Sequence, residues 1–211
     1  MSDDDNIVDQ HSEDMEAARI ARFFLYKNRE KLPVKRAQIR LLMDQVKNKK
    51  SNTIERVNNL LQSTAGLGIE TCKVDPKKTE KFFLVRTSEF DHDVPLPFST
   101  QEKKEYGLLF YIFLIIHLKN GRIELDQLKK ILEKTGVTED GSEFGKWPEI
   151  INKWSKQEYL KQKKIELENG GSKIDISYGS RFHVEFGEEK LIEMGKELIQ
   201  DKIPEDLIRQ E

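Results

Sequence analysis

From Met15 onward the chain reads in helical stripes. In "MEAARIARFFLYKNREK" the residues Ala17, Ile20, Ala21, Phe24 and Leu25 recur on one face, which predicts an amphipathic first helix. After Leu32-Pro33, "VKRAQIRLLMDQV" repeats the pattern with Val34, Ile39, Leu42, Met43 and Val46, and Pro33 suits a helix start because its missing N–H costs nothing there. A third helix is predicted in "TIERVNNLLQST", with Ile54, Val57, Leu60 and Leu61, closed by Gly66 and Gly68. "LGIETCKV" and "FFLVRT" then read as two strands around the turn "DPKKTEK".

The order recurs in the second half. An apolar helix from Tyr106, a helix in "IELDQLKKILEKT" and a third in "WPEIINKWSKQ" are followed by strands in "YLKQKKIEL" and "KIDISYG" around "ENGG". A final helix is predicted in "EEKLIEMGKELIQ". A shift of 89 residues sets Val34 on Ile123, Gln38 on Gln127, Ile39 on Leu128, Leu42 on Ile131 and Met43 on Leu132. Matched pattern with weak identity is the mark of an internal structural repeat. Three helices and a hairpin wing make a winged helix. The expected class is therefore mainly α with small β-hairpin wings (α+β), arranged as tandem winged-helix domains. Expected boundaries are an acidic disordered tail at 1–14, a first winged helix at 15–90, a linker at 91–103, a second winged helix at 104–203 and a C-terminal tail at 204–211. The linker expectation rests on "SEFDHDVPLPFSTQEKK", which is acidic, proline-bearing and without periodicity.

Composition changes this picture at one point. The chain has 211 residues, 36% hydrophobic and 35% charged, with a formal charge of -2. Met1 to Glu16 carries seven acids and no Lys or Arg, so the remainder sums to +5: a mildly basic body behind an acidic start. The single cysteine, Cys72, cannot form an intramolecular disulfide, and "MSDDDNIVDQ" lacks the basic start and apolar run of a signal peptide. An intracellular protein is expected. The apolar run "LLFYIFLIIHL" is shorter than the roughly 20 residues that span a bilayer, so a buried core helix is expected and no membrane partner.

Catalytic and cofactor chemistry is not indicated. "GSEFGKW" is one spacer short of a phosphate loop and places Trp147 where Ser or Thr should hold magnesium; "GLG" at Gly66 to Gly68 fits a helix cap better than a dinucleotide fingerprint. His11, His92, His117 and His183 show no metal-ligand spacing, and His117 reads as a core histidine. Neither an enzyme, a cofactor, a metal nor a small-molecule substrate is expected.

Two basic segments remain. Lys27 to Lys50 nets +7, and "KWPEIINKWSKQEYLKQKK", Lys146 to Lys164, nets +4. The second is better placed, because in a winged helix the third helix meets the duplex and the wing touches backbone beside it. Lys153 and Lys156 fall on that helix, and Lys161, Lys163 and Lys164 on the wing strand, with Lys161 and Lys163 favoured as the pair facing DNA. Trp147 and Trp154 are expected to pack the helix. With few Arg or Asn to read bases, contact should be with phosphate and weakly sequence-selective. The alternative is a plain solvated face.

The segments "ARFFLYKNREKLPVKRAQI", "EYGLLFYIFLIIHLKNGRI", "QEYLKQKKI" and "YGSR" resemble, in order, the opening helix, the Gly-Leu-Leu helix, the Tyr-Leu wing strand and the Trp-Gly-Pro-Arg motif of the MAGE homology domain. The resemblance runs from about residue 16 to 200, with Ser180 where proline is usual. "KLPVKRAQI" is most similar to the branch that supplies a non-SMC element subunit of the SMC five-six complex. That resemblance implies tandem winged helices, a nuclear role in DNA repair and chromosome maintenance, double-stranded DNA binding by the assembled subcomplex, and two partners: a RING-type ubiquitin-ligase subunit and a kleisin. The paired leucines of the family's first helix, which meet the RING partner, fall on Phe24 and Leu25; a purely core role is the other reading. A free-standing winged-helix regulator and a protein-interaction scaffold without DNA contact are the rival functions.

Overall fold

The computed structural model describes residues 3–43, 52–72, 80–87, 99–138, 144, 146–167 and 170–200. The chain divides into two compact units, Met1–Leu96 and Pro97–Glu211.

In the first unit, α1 (Asp3–Arg29), α2 (Arg36–Met43) and α3 (Thr53–Ala65) pack beside a three-stranded antiparallel sheet of β1 (Val34–Lys35), β2 (Leu67–Thr71) and β3 (Lys81–Arg86) in the order β1-β3-β2. The predicted stripes supply the core: Ile20 and Phe24 from α1, Ile39 from α2, Val57 and Leu61 from α3, and Phe82 and Leu84 from β3. Each such burial stabilises the unit by roughly 1.5–3 kcal/mol before entropy is counted. α3 ends where Gly66 takes a left-handed conformation, φ 61°, and returns its N–H to the Gln62 carbonyl.

The second unit repeats the plan with α4 (Thr100–Leu118), β4 (Arg122–Glu124), α5 (Leu125–Lys134), α6 (Trp147–Lys156), β5 (Leu160–Glu166) and β6 (Ser172–Tyr178), then adds α7 (Ser180–Glu185) and α8 (Gly187–Gln200). Its sheet order is β4-β6-β5. α4 starts at a reciprocal cap: the Ser99 hydroxyl accepts from the Glu102 N–H at 3.2 Å, and the Glu102 carboxylate accepts from the Ser99 N–H at 2.8 Å. Its residues Leu109, Ile112, Phe113 and Ile116 are the centre of the core, against Leu128, Leu132, Ile151, Trp154, Ile176 and Phe182. No described helix is long and apolar enough to cross a membrane.

Four features depart from the sequence reading. First, α1 begins at Asp3, so the stretch expected to be a disordered tail is helical from that residue, and Glu13 and Asp14 engage Arg56 of α3 at 2.6 and 3.6 Å. Second, Pro33 does not start α2. Val34 and Lys35 instead form β1, with Val34 opposite Phe82. Third, the equivalent shift occurs in the second unit, where Ile123 lies opposite Ile176 in β4 and the helix starts at Leu125. Each predicted hairpin is thus a three-stranded sheet, because two or three residues ahead of the second helix satisfy the free edge of the hairpin's second strand. Fourth, a short helix, α7, follows the wing. Val46, residues 73–79 with most of the turn expected in "DPKKTEK", most of the linker and the C-terminal tail lie outside the described residues.

Candidate functional site

α6 is anchored through Trp147, Ile150, Ile151 and Trp154, all buried, which leaves Glu149, Asn152, Lys153 and Lys156 on its exposed side. Pro148 is accommodated in the first turn, where no hydrogen bond is lost. The wing strand β5 follows after three residues. Gln162 ties it back to the helix, its side-chain amide donating to Asn152 Oδ1 at 3.1 Å and Ser155 Oγ at 2.8 Å.

This tie fixes which way the wing lysines lie. Alternate strand residues share a face, so Lys164 is on the side of Gln162 and therefore of α6. Lys161 and Lys163 are on the other side, opposite Ser177 and Asp175 of β6. The five lysines proposed from sequence are all exposed, but they fall into two groups: Lys153, Lys156 and Lys164 beside the helix, and Lys161 with Lys163 across the sheet. They are not equivalent electrically either. Lys153 Nζ makes a 2.6 Å ion pair with Glu105 of α4, whereas Lys156, Lys163 and Lys164 have no ion-pair partner among the described residues.

A corner between α6 and β5 sets the angle of the wing. Glu158 has φ 66°, and Gly179, at the end of β6, lies so close that a Cβ there would stand 2.2 Å from the Glu158 carbonyl oxygen. Gly179 N–H donates to the Tyr159 carbonyl and Arg181 N–H to the Glu158 carbonyl, both at 2.8 Å. The Arg181 side chain is fully buried. Its Nε donates to the Gln157 carbonyl at 3.0 Å, Nη1 meets Glu185 at 2.6 Å, and the guanidinium lies 5.4 Å from the Tyr159 ring centroid. Tyr159 donates to the other Glu185 oxygen at 2.7 Å. Burial, then the Glu185 charge, pushes the Tyr159 phenol far above its ordinary range, so it remains a donor. The buried cation is tolerated because carboxylate, carbonyl and ring surround it. Sequence reasoning met Arg181 only as part of "YGSR" and gave it no role; a lone Arg after a predicted strand carries no local sign of burial.

In the first unit the proposed partner-binding pair is divided. Phe24 is 1% exposed and stands edge-on to Phe82, so it is a core residue; Leu25 is 38% exposed, beside Tyr26 at 63%. The reason is the helical turn: successive residues are about 100° apart, and here Phe24 falls within the buried stripe of Ile20 and Ala21 while Leu25 falls at its edge. Of the basic segment Lys27 to Lys50, Arg36 pairs with Glu80 at 2.5 Å and Lys27 sits over the Phe23 ring, while Lys47, Lys49 and Lys50 lie outside the described residues. The third helix of this unit carries one cation, Arg56, and it is engaged by α1.

The same fold is found in a chain of the solved Nse1-Nse3-Nse4 complex, with a TM-score of 0.76 over 93% of this chain and 94% of that chain, at 23% sequence identity. Among curated proteins no significant sequence match is found. The MAGE homology domain model matches residues 20–189, which take in both winged helices from the middle of α1 to the start of α8, and the chain belongs to the MAGE homology domain family.

Proposed function

We propose that this chain is a non-catalytic subunit of an SMC-type complex acting in chromosome maintenance and DNA repair in the nucleus. In this role it bridges a RING-type ubiquitin-ligase subunit and a kleisin, and contributes sequence-nonspecific contact with double-stranded DNA. The observation that carries the reading is the likeness, over nearly the whole of both chains, to a member of a three-subunit assembly, Nse1-Nse3-Nse4. Two features of the molecule support its parts. Leu25 and Tyr26 expose apolar surface on α1, as a protein contact requires. Lys156 and Lys164 present cations on the third helix and the wing of the second unit, where a winged helix meets phosphate. The first unit's third helix offers nothing comparable, since Arg56 is held by Glu13.

The test is to recover the protein from cells with its stable partners and measure duplex binding by the recovered assembly. Co-purification of a RING subunit and a kleisin with salt-sensitive, sequence-tolerant DNA binding is expected. Recovery of the chain alone, bound to one preferred sequence, would replace this reading with that of a free-standing regulator; partners without duplex affinity would reduce it to a scaffold.

A further inference from the structure

Resting on the proposed DNA surface, a more specific device is visible at the root of α6. We infer that Glu105 competes with duplex phosphate for Lys153 and so holds DNA affinity below what the exposed lysines would otherwise give. Lys153 and Lys156 are one turn apart on the exposed side of the same helix, yet among the described residues only Lys153 of the two meets a carboxylate, at 2.6 Å. The two partners of that contact differ in freedom. Glu105 belongs to α4, the central core helix, and its side chain is 18% exposed; the Lys153 side chain is 48% exposed. The lysine can therefore swing toward a phosphate while the acid stays.

Two penalties follow when DNA approaches. Lys153 exchanges one anion for another, so its contact brings less than that of a cation hydrated beforehand. Once it leaves, the Glu105 charge stands uncompensated a short distance from the incoming phosphates, and like charges at that range repel. Lys156 pays neither penalty from any described residue. The helix thus carries one lysine ready for phosphate and one restrained by an internal anion.

The experiment measures duplex binding across a salt series by the chain in the assembly recovered with its stable partners, with thermal midpoints of each variant recorded to confirm folding. The variants are Glu105→Gln, Lys153→Gln, the two combined, Lys156→Glu, and Glu193→Gln on α8 as a control that changes net charge equally. Glu105→Gln should bind roughly two- to fivefold tighter at low salt, the range expected from freeing one exposed ion pair. Lys153→Gln should cost more in the E105Q background than in the parent, and Glu193→Gln should show no such coupling. The inference is overturned if Lys156→Glu weakens binding but Glu105→Gln matches the parent, or if Glu193→Gln raises affinity as much as Glu105→Gln. Absence of salt-dependent duplex binding in the parent overturns the DNA surface itself, and this inference with it.

Discussion

At the scale of single residues, the adjacent Phe24 and Leu25 do opposite work, and mutation should separate them. Phe24→Ala empties a core position against Phe82 and should cost about 3–5 kcal/mol in chemical denaturation. Leu25→Ala, at an exposed position, should leave the unfolding midpoint nearly unchanged while reducing recovery of the proposed RING partner. Equal retention of that partner by the Leu25 variant would remove α1 from the interface. Gly179 makes a different demand: a methyl group there meets backbone rather than a flexible side chain, so Gly179→Ala should destabilise the second unit by roughly 1–3 kcal/mol. Glu16 gives a pH signature. Burial raises its carboxyl above the ordinary range, Arg19 opposes and Glu13 adds to the shift. The folded state therefore holds this proton more tightly than the unfolded state, and the group's contribution to stability falls as pH rises from the unfolded value through the folded one. Glu16→Gln should accordingly raise the melting temperature at pH 7, by a margin that closes as the pH is brought down into the carboxylate range.

At the scale of elements, the helices were legible because their apolar residues keep a 3.6-residue period over about two turns or more, as in Ala17, Ile20, Ala21 and Phe24. The strands β1 and β4 were not. Two or three residues cannot display an alternation, and Val34 and Ile123 fit the helical stripe that follows them as well as they fit a strand. The lysines were legible as a cluster, but their division between two sides of the sheet depends on the Gln162 tie, a contact between side chains ten and seven residues apart. The division keeps Lys161 and Lys163, the pair favoured from sequence to face DNA, on one side, but it is the side away from α6. Lys164→Glu should weaken duplex binding more than Lys163→Glu, since Lys164 lies on the side of α6 and Lys163 stands opposite Asp175. Each effective variant should act equally on unrelated duplexes and lower the salt slope by about one. A larger loss for Lys163 would put the DNA on the far side of the wing.

At the scale of the molecule, two copies of one plan present different third helices: α3 with its one cation paired to α1, α6 with Lys153 paired to α4 but Lys156 exposed and without an ion-pair partner among the described residues. Reversing an exposed cation in the first unit, Arg40→Glu, should therefore change duplex affinity less than Lys156→Glu in the second. An equal loss from Arg40 would show that both units share the nucleic acid.

The third strand of each sheet has a consequence for how the chain comes into being. β1 pairs with β3 and β4 with β6, so every strand finds its partners within its own half, and the most distant pairing in the first half joins Val34 to Phe82. During synthesis the first unit has all its strands once residue 86 has left the ribosome, while more than half of the chain has yet to emerge. It can fold without waiting for the second, as N-terminal domains generally do. An early partner of α1 would then meet a finished surface on a nascent protein, and assembly could begin before translation ends.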